Sequence, residues 1–305
     1  MIDTITSILS SSLPLMAPIL IAGLGELIAE RAGVINLGVE GIMSVSSLIA
    51  LVVTYFSGDY ALGFLSGIGV GAVFGLAYAF IVVTIAVNQL IAGLLFFIFG
   101  QNIASFIYRL VIKYQVPSVN PLPNVEIPVV KELPIIGRVF FSQPLYVYVS
   151  LFLVFVIRVV LHKTSWGLAI RSAGENPEAV AAAGINVNLL RFICVVVGSM
   201  FAGFAGAVIS VGYIGLYQTG LIAGRGWLAI IAVIVAGWNP INLLLSSWVL
   251  GLGFSTAASL LTLRGGIAQY YFYLTLPYVF SLFVVLLIPG RRRGPAALTV
   301  PYKRR

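Results

Sequence analysis

The chain has 305 residues, of which 60% are hydrophobic and only 9% charged, with a mean hydropathy of +1.10. Apolar runs long enough to cross a ~30 Å hydrocarbon core recur along its length, which excludes a soluble globular protein, and their continuity excludes a closed barrel of short alternating strands. The formal charge of +8 does not mark a nucleic-acid binder, because six of the 17 Lys and Arg fall in residues 291–305, where a basic tail after an apolar helix acts as a cytoplasmic anchor.

From the N-terminus, "MIDTITSILSSSLP" lacks a basic leading region, so the first apolar run reads as a retained span rather than a cleaved signal. Nine apolar segments follow in order: 13–29, 41–56, 61–87, 89–112, 144–161, 192–214, 226–238, 241–263 and 267–289. Lipid offers the backbone no hydrogen-bond partners, so these must be helices. The expected fold is an all-α polytopic bundle of about nine spans.

Between the first two runs lies "GELIAERAGVINLGVEG" (25–41), with three glutamates, Arg31 and Asn36. Ionisable groups in spans are costly and are functional candidates by default. Glu26 and Glu30 are four apart and share a helix face, as would Asn36 and Glu40 if that stretch is helical. Two readings stand: these residues line a polar path or a central polar network, or Glu30 and Arg31 sit at a cytoplasmic span end, solvated or paired with neighbours. The segments 41–56 and 226–238 are short, and each follows a glycine-interrupted polar stretch, "ERAGVINLGVEG" and "GLIAGRG". Such pairs point to a path built on discontinuous helices. Arg225, with Trp227, begins the second; it either pairs with Glu26 or Glu40 or anchors at the interface.

Gly63, Gly67, Gly71 and Gly75 form a small-residue stripe, and Gly198, Ala202 and Gly206 form another. Their expected role is close packing of helices within the chain. Counting basic residues back from the tail makes 290–305 and 162–191 cytoplasmic and 113–143 an external proline-rich loop, with the N-terminus outside. Trp238, Asn239 and Pro240 read as a tight turn.

Within 162–191, "NPEAVAAAG" predicts one short helix. Asn176 is a good N-cap, Pro177 fits the first helical position and Glu178 suits the positive end of the helix dipole. Ala179 to Ala183 favour helix and Gly184 supplies the stop. A rigid helix with a small-residue surface standing off the membrane suits a groove on another protein.

"AGVINLGVEGIM" (32–43), "RSAGENPEAVAAAGI" (171–185) and "GRGWLAIIAVIVAGWNP" (224–240) resemble, in this order, the permease subunits of ATP-binding-cassette importers of the ribose and branched-chain amino acid type. The wording is most similar to the simple-sugar and nucleoside subgroup. The resemblance implies that Asn176, Pro177, Glu178, Ala179, Ala182 and Gly184 belong to a coupling helix that docks on the ATPase. It implies a plasma-membrane complex with two ABC ATPase subunits, a second permease chain, identical or homologous, and an extracytoplasmic substrate-binding lipoprotein. Glu26, Glu30, Asn36, Glu40, Arg225 and Trp227 are the candidates for the translocation path or its polar network.

What the sequence lacks agrees with that division of labour. No GxxxxGK[ST] phosphate loop occurs, so ATP hydrolysis is expected in a partner. A single histidine (His162) and a single cysteine (Cys194) leave no His-based metal cluster, no internal disulfide and no catalytic dyad. No cofactor is expected. The alternative is an ion-coupled secondary transporter or channel working through Glu26, Glu30 or Glu40.

Overall fold

The computed structural model describes residues 2–111, 117–126, 136–263, 275–279, 282 and 294–302. Helix α1, Ile2–Arg31, is followed by a seven-residue interruption and then by α2, Val39–Ser57. Helix α3, Tyr60–Ala79, runs on into a π-helical turn at Phe80–Thr84, and α4 spans Gln89–Val111. A short strand β1, Asn124–Glu126, a one-turn helix α5, Ile136–Phe140, and strand β2, Ser142–Pro144, lead into α6, Leu145–Lys163. Two hydrophilic helices follow, α7 (Ser165–Glu175) and α8 (Pro177–Ala182). Helix α9, Val187–Ala207, has its own π-helical extension at Val208–Ile214, and α10 (Arg225–Ala236) and α11 (Pro240–Leu263) complete the bundle.

Seven of these helices are long and apolar enough to cross a membrane, so the fold is an all-α polytopic bundle. Helix α10, at 12 residues, extends only about 18 Å and cannot cross a ~30 Å core alone. The first segment expected to be short is not. It starts at Val39 rather than 41 and reaches 19 residues, because Gly38 and Val39 begin the helix before the apolar run does. The ninth apolar run, 267–289, lies almost wholly outside the described residues.

From residue 15 to residue 30 helix α1 is buried on every side, with Met16, Ile19, Leu20, Leu24 and Leu27 fully enclosed. Helices α9, α10, α11 and α6 surround it. The glycine stripes provide the close approaches. Gly63, Gly67, Gly71 and Gly75 are all buried, and a Cβ on Gly67 would fall 2.7 Å from that of Ala207 on α9. The second stripe turns the other way, Gly198 against Gly25 of α1 and Gly206 against Met43 of α2. Helix α9 is thus clamped from both sides by packing within the chain, as its small residues predict.

The connections gather at two ends. At one, β1 and β2 pair antiparallel with Val125 opposite Gln143, Ser118 bridges Leu216, and the Gln143 amide donates to the Ser10 carbonyl at 3.1 Å. The described part of 113–143 is therefore extended chain with one turn of helix. At the other end lie the C-terminus of α1, helices α7 and α8, the turn at Trp238 and residues 294–302. The basic clusters at 291–293 and 303–305 lie outside the described residues.

Candidate translocation path and coupling segment

The interruption after α1 is folded into the bundle, and its main chain is satisfied by side chains from four helices, as non-helical backbone at membrane depth requires. Glu26 of α1 accepts the Asn36 backbone N–H at 2.6 Å. Gln89, at the start of α4, accepts the Ile35 N–H at 3.0 Å. The Tyr78 hydroxyl of α3 donates to the Ile35 carbonyl at 2.8 Å. The Asn36 amide donates to Ser199 Oγ of α9 at 3.3 Å, and its oxygen accepts the Gly38 N–H at 2.9 Å. Asn36 therefore lies in the non-helical stretch before α2, so it does not share a helix face with Glu40.

Glu40 stands in the first turn of α2 and joins the two broken regions. Its Oε1 accepts the Gly224 N–H and its Oε2 the Gly226 N–H, both at 2.7 Å. These are the orphan amides at the N-terminus of α10, for which Gly224 offers no side-chain cap. A carboxylate there also meets the positive end of the helix dipole. The expected link between Glu40 and the Arg225 region exists, but it runs through the main chain on either side of Arg225. The guanidinium itself donates to the carbonyls of Leu221 and Ile222 at 3.2 and 3.1 Å and lies 4.8 Å over the Phe254 ring. Trp227 is half-buried, edge-on to Phe97 of α4 with centroids 5.4 Å apart.

Glu30 is fully buried, so at the end of α1 it pairs with a neighbour and is not solvated. Its Oε2 accepts the indole N–H of Trp238 at 2.5 Å, while Oε1 has no hydrogen-bond partner among the described residues. Arg31 next door donates twice to the Trp238 carbonyl, at 3.0 and 2.8 Å. Trp238 is held at φ 55° after Gly237, and Asn239 caps α11 through the Ile241 N–H at 2.9 Å. The tight turn at 238–240 is present, and it also fixes the end of α1.

On the hydrophilic segment, each helix begins on a side-chain cap. Thr164 accepts the Gly167 N–H at 3.1 Å, Asn176 that of Ala179 at 3.1 Å and Asn186 that of Leu189 at 3.1 Å. Gly184 takes the left-handed conformation at φ 83°, where a Cβ would be strained. Helix α8 thus has the predicted cap and stop. Val180 turns inward and is buried, while Glu178, Ala179, Ala182 and Gly184 are exposed. Helix α7, which precedes the short helix expected from sequence, holds α8 to the bundle: Gly167 and Gly174 pack directly on backbone of α6 and on the Arg31 carbonyl.

A further arginine closes the hydrophilic segment 162–191. Arg191 is buried, its guanidinium donating to the carbonyls of Ala32 at 2.9 Å, Val300 at 2.9 Å and Ala173 at 3.2 Å. It ties together the end of α1, α7, α9 and the C-terminal segment. The Ala297 N–H adds a bond to the Gly174 carbonyl at 2.7 Å. The signal was present in "NLLRFICVVV": an arginine inside an apolar run needs partners.

A family described as "Branched-chain amino acid transport system / permease component" matches residues 8–289. The chain is 36% identical over 249 residues to a Haloferax volcanii protein named "Putative glucose ABC transporter permease protein", covering 80% of this chain and 75% of the relative. It is 30% identical to the guanosine ABC transporter permease protein NupQ of Bacillus subtilis, over 99% of this chain and 98% of that one. A nucleoside ABC transporter permease protein of Lactococcus lactis, NupC, is 29% identical over the same shares.

Proposed function

The chain belongs to the family of permease components of branched-chain amino acid transport systems, and on that premise we propose that it carries a nucleoside or a simple sugar. It is the membrane-spanning permease subunit of an ABC importer, a multi-pass membrane protein whose family works with an ATPase and a permease partner. The substrate class rests on the names of its relatives, which include guanosine, nucleoside and glucose permeases. The proposal adds an extracytoplasmic lipoprotein that delivers the solute and a cytoplasmic position for α7, α8 and the C-terminal segment.

The observation that carries the mechanism is the exposed small-residue face of α8 on a rigid mount. Capped by Asn176 and anchored by Val180, α8 can seat in a groove of the ATPase without ordering any long side chain. Its mount leads through α7 and Arg191 to the end of α1. From there Glu30 and Trp238, Glu26 and Asn36, and Glu40 with Gly224 and Gly226 link α1 to α2 and α10. Movement of α8 with the closing ATPase is thereby delivered to the broken helices flanking the path. In this reading the buried glutamates hold the gate elements in register.

Co-reconstitution of the chain with its ATPase, permease partner and lipoprotein in proteoliposomes tests the reading. Uptake of radiolabelled guanosine or a sugar should require internal or external ATP on the ATPase side. Uptake driven by a proton or sodium gradient with no ATP would instead establish the ion-coupled alternative.

A further inference from the structure

We propose that the groove between α6 and α11 is a binding site for the headgroup of an anionic phospholipid. The groove encloses about 490 Å³ at the end of α6 that leads into α7, and Arg158, His162 and Lys163 stand along it. These three lie on the last two turns of one helix, all exposed. Neither the Arg158 guanidinium nor the Lys163 ammonium has a hydrogen-bond or ion-pair partner among the described residues, and no carboxylate lines the groove. The His162 ring lies 3.2 Å from the Arg158 carbonyl through Nδ1, which leaves Nε2 as its outward nitrogen. Two unpaired cations and an imidazole within two helical turns suit a phosphodiester, whose oxygens accept from both.

The walls identify a lipid rather than a dissolved phosphate. Phe155, Val159 and Ile241 form the apolar side of the groove. From there an exposed apolar track continues along the bundle surface, through Phe152 on α6 and through Leu245 and Val249 on α11. Ile241, Leu245 and Val249 repeat every four residues, so they make one stripe on α11. A soluble anion has no use for this track, whereas an acyl chain below a bound headgroup would lie along it.

The test uses the full-length chain in nanodiscs of equal parts phosphatidylcholine and phosphatidylglycerol, followed by extraction and native mass spectrometry. Phosphatidylglycerol should be retained in preference to phosphatidylcholine. The double variant Arg158→Gln with Lys163→Gln should lose that preference by roughly tenfold or more, while the charge-preserving Arg158→Lys with Lys163→Arg should keep it. Equal retention of the two lipids, or unchanged retention in the Gln variant, would overturn the site. Displacement of phosphatidylglycerol by inorganic phosphate would show a soluble-anion site instead. Disulfide crosslinking of a Phe155→Cys variant to a second copy of the chain would show that protein covers the groove, and would also overturn the proposal.

Discussion

The Glu40 carboxylate accepts the Gly226 backbone N–H at 2.7 Å, and a Cβ on Gly226 would fall 2.7 Å from the Glu40 Cα. The start of α2 and the start of α10 are therefore in direct contact, and one carboxylate supplies the cap that α10 lacks. Replacing Glu40 with Ala leaves two amides of α10 without acceptors. The expected cost is about 2–4 kcal/mol, since hydrogen bonds to a charged group are the stronger kind and buried donors are costly to strand. Glu40→Gln keeps one acceptor and should recover roughly half. Thermal unfolding of the purified permease checks the order wild type, Gln, Ala. Uptake in the reconstituted complex should fall in the same order; unchanged kinetics in Glu40→Ala would remove this contact from the transport cycle.

Gly226→Ala addresses the same contact from the other side. The atoms in the way are the Glu40 Cα and N, each 2.7 Å from the new methyl, so neither helix can yield by a side-chain rotation. Expression of folded protein should drop sharply. Gly69→Ala, where a Cβ meets nothing within 4 Å, should be neutral or mildly stabilising by helix propensity. Fluorescence-detected size exclusion of the two variants side by side gives the comparison. Equal monodisperse yields would mean that α2 and α10 are less tightly joined than the distances indicate.

The exposed face of α8 gives a test of coupling. Ala179 and Ala182 are exposed, whereas Val180 is buried and Ala181 half-buried. Ala182→Trp should therefore block seating on the ATPase without disturbing the permease fold. Membrane insertion and thermal stability should match wild type, and substrate-stimulated ATP hydrolysis in the complex should fall by an order of magnitude or more. Normal stimulation would sink the coupling role of α8.

The short-range features were readable from sequence because their causes are short-range. Asn176, Pro177 and Gly184 mark α8 through the backbone needs of its own ends, and the glycine stripes mark α9's neighbours through steric bulk alone. The partners of Glu40 were not readable, because they are main-chain amides, which every residue other than proline carries. The spacing of Asn36 and Glu40 puts them on one face only if the stretch is helical, and it is not: the Asn36 side chain accepts the Gly38 N–H before α2 begins. Helix α7 has no counterpart among the sequence expectations, and Gly167 and Gly174 are poor helix formers. They are in fact the points where α7 touches backbone of α6 and α1, and no local pattern reports such a contact.

Arg191 makes the last prediction. Its three carbonyl partners come from three separate stretches, Ala32 after α1, Ala173 on α7 and Val300 in the C-terminal segment. Arg191→Met preserves most of the buried stem but strands those oxygens, and the expected loss of stability is about 3 kcal/mol or more. Arg191→Lys should recover little, because a single ammonium cannot reproduce the planar fork that reaches three acceptors. The local signature is more informative than the global one. With Val300 released, the Ala297 N–H bond to Gly174 at 2.7 Å loses its neighbour, so amide exchange across 294–302 should accelerate in Arg191→Met well before the bundle unfolds. Hydrogen–deuterium exchange by mass spectrometry reads that segment directly. Protection there equal to wild type would mean that the segment is held by its apolar contacts, with Arg191 serving only the junction of α1 and α7.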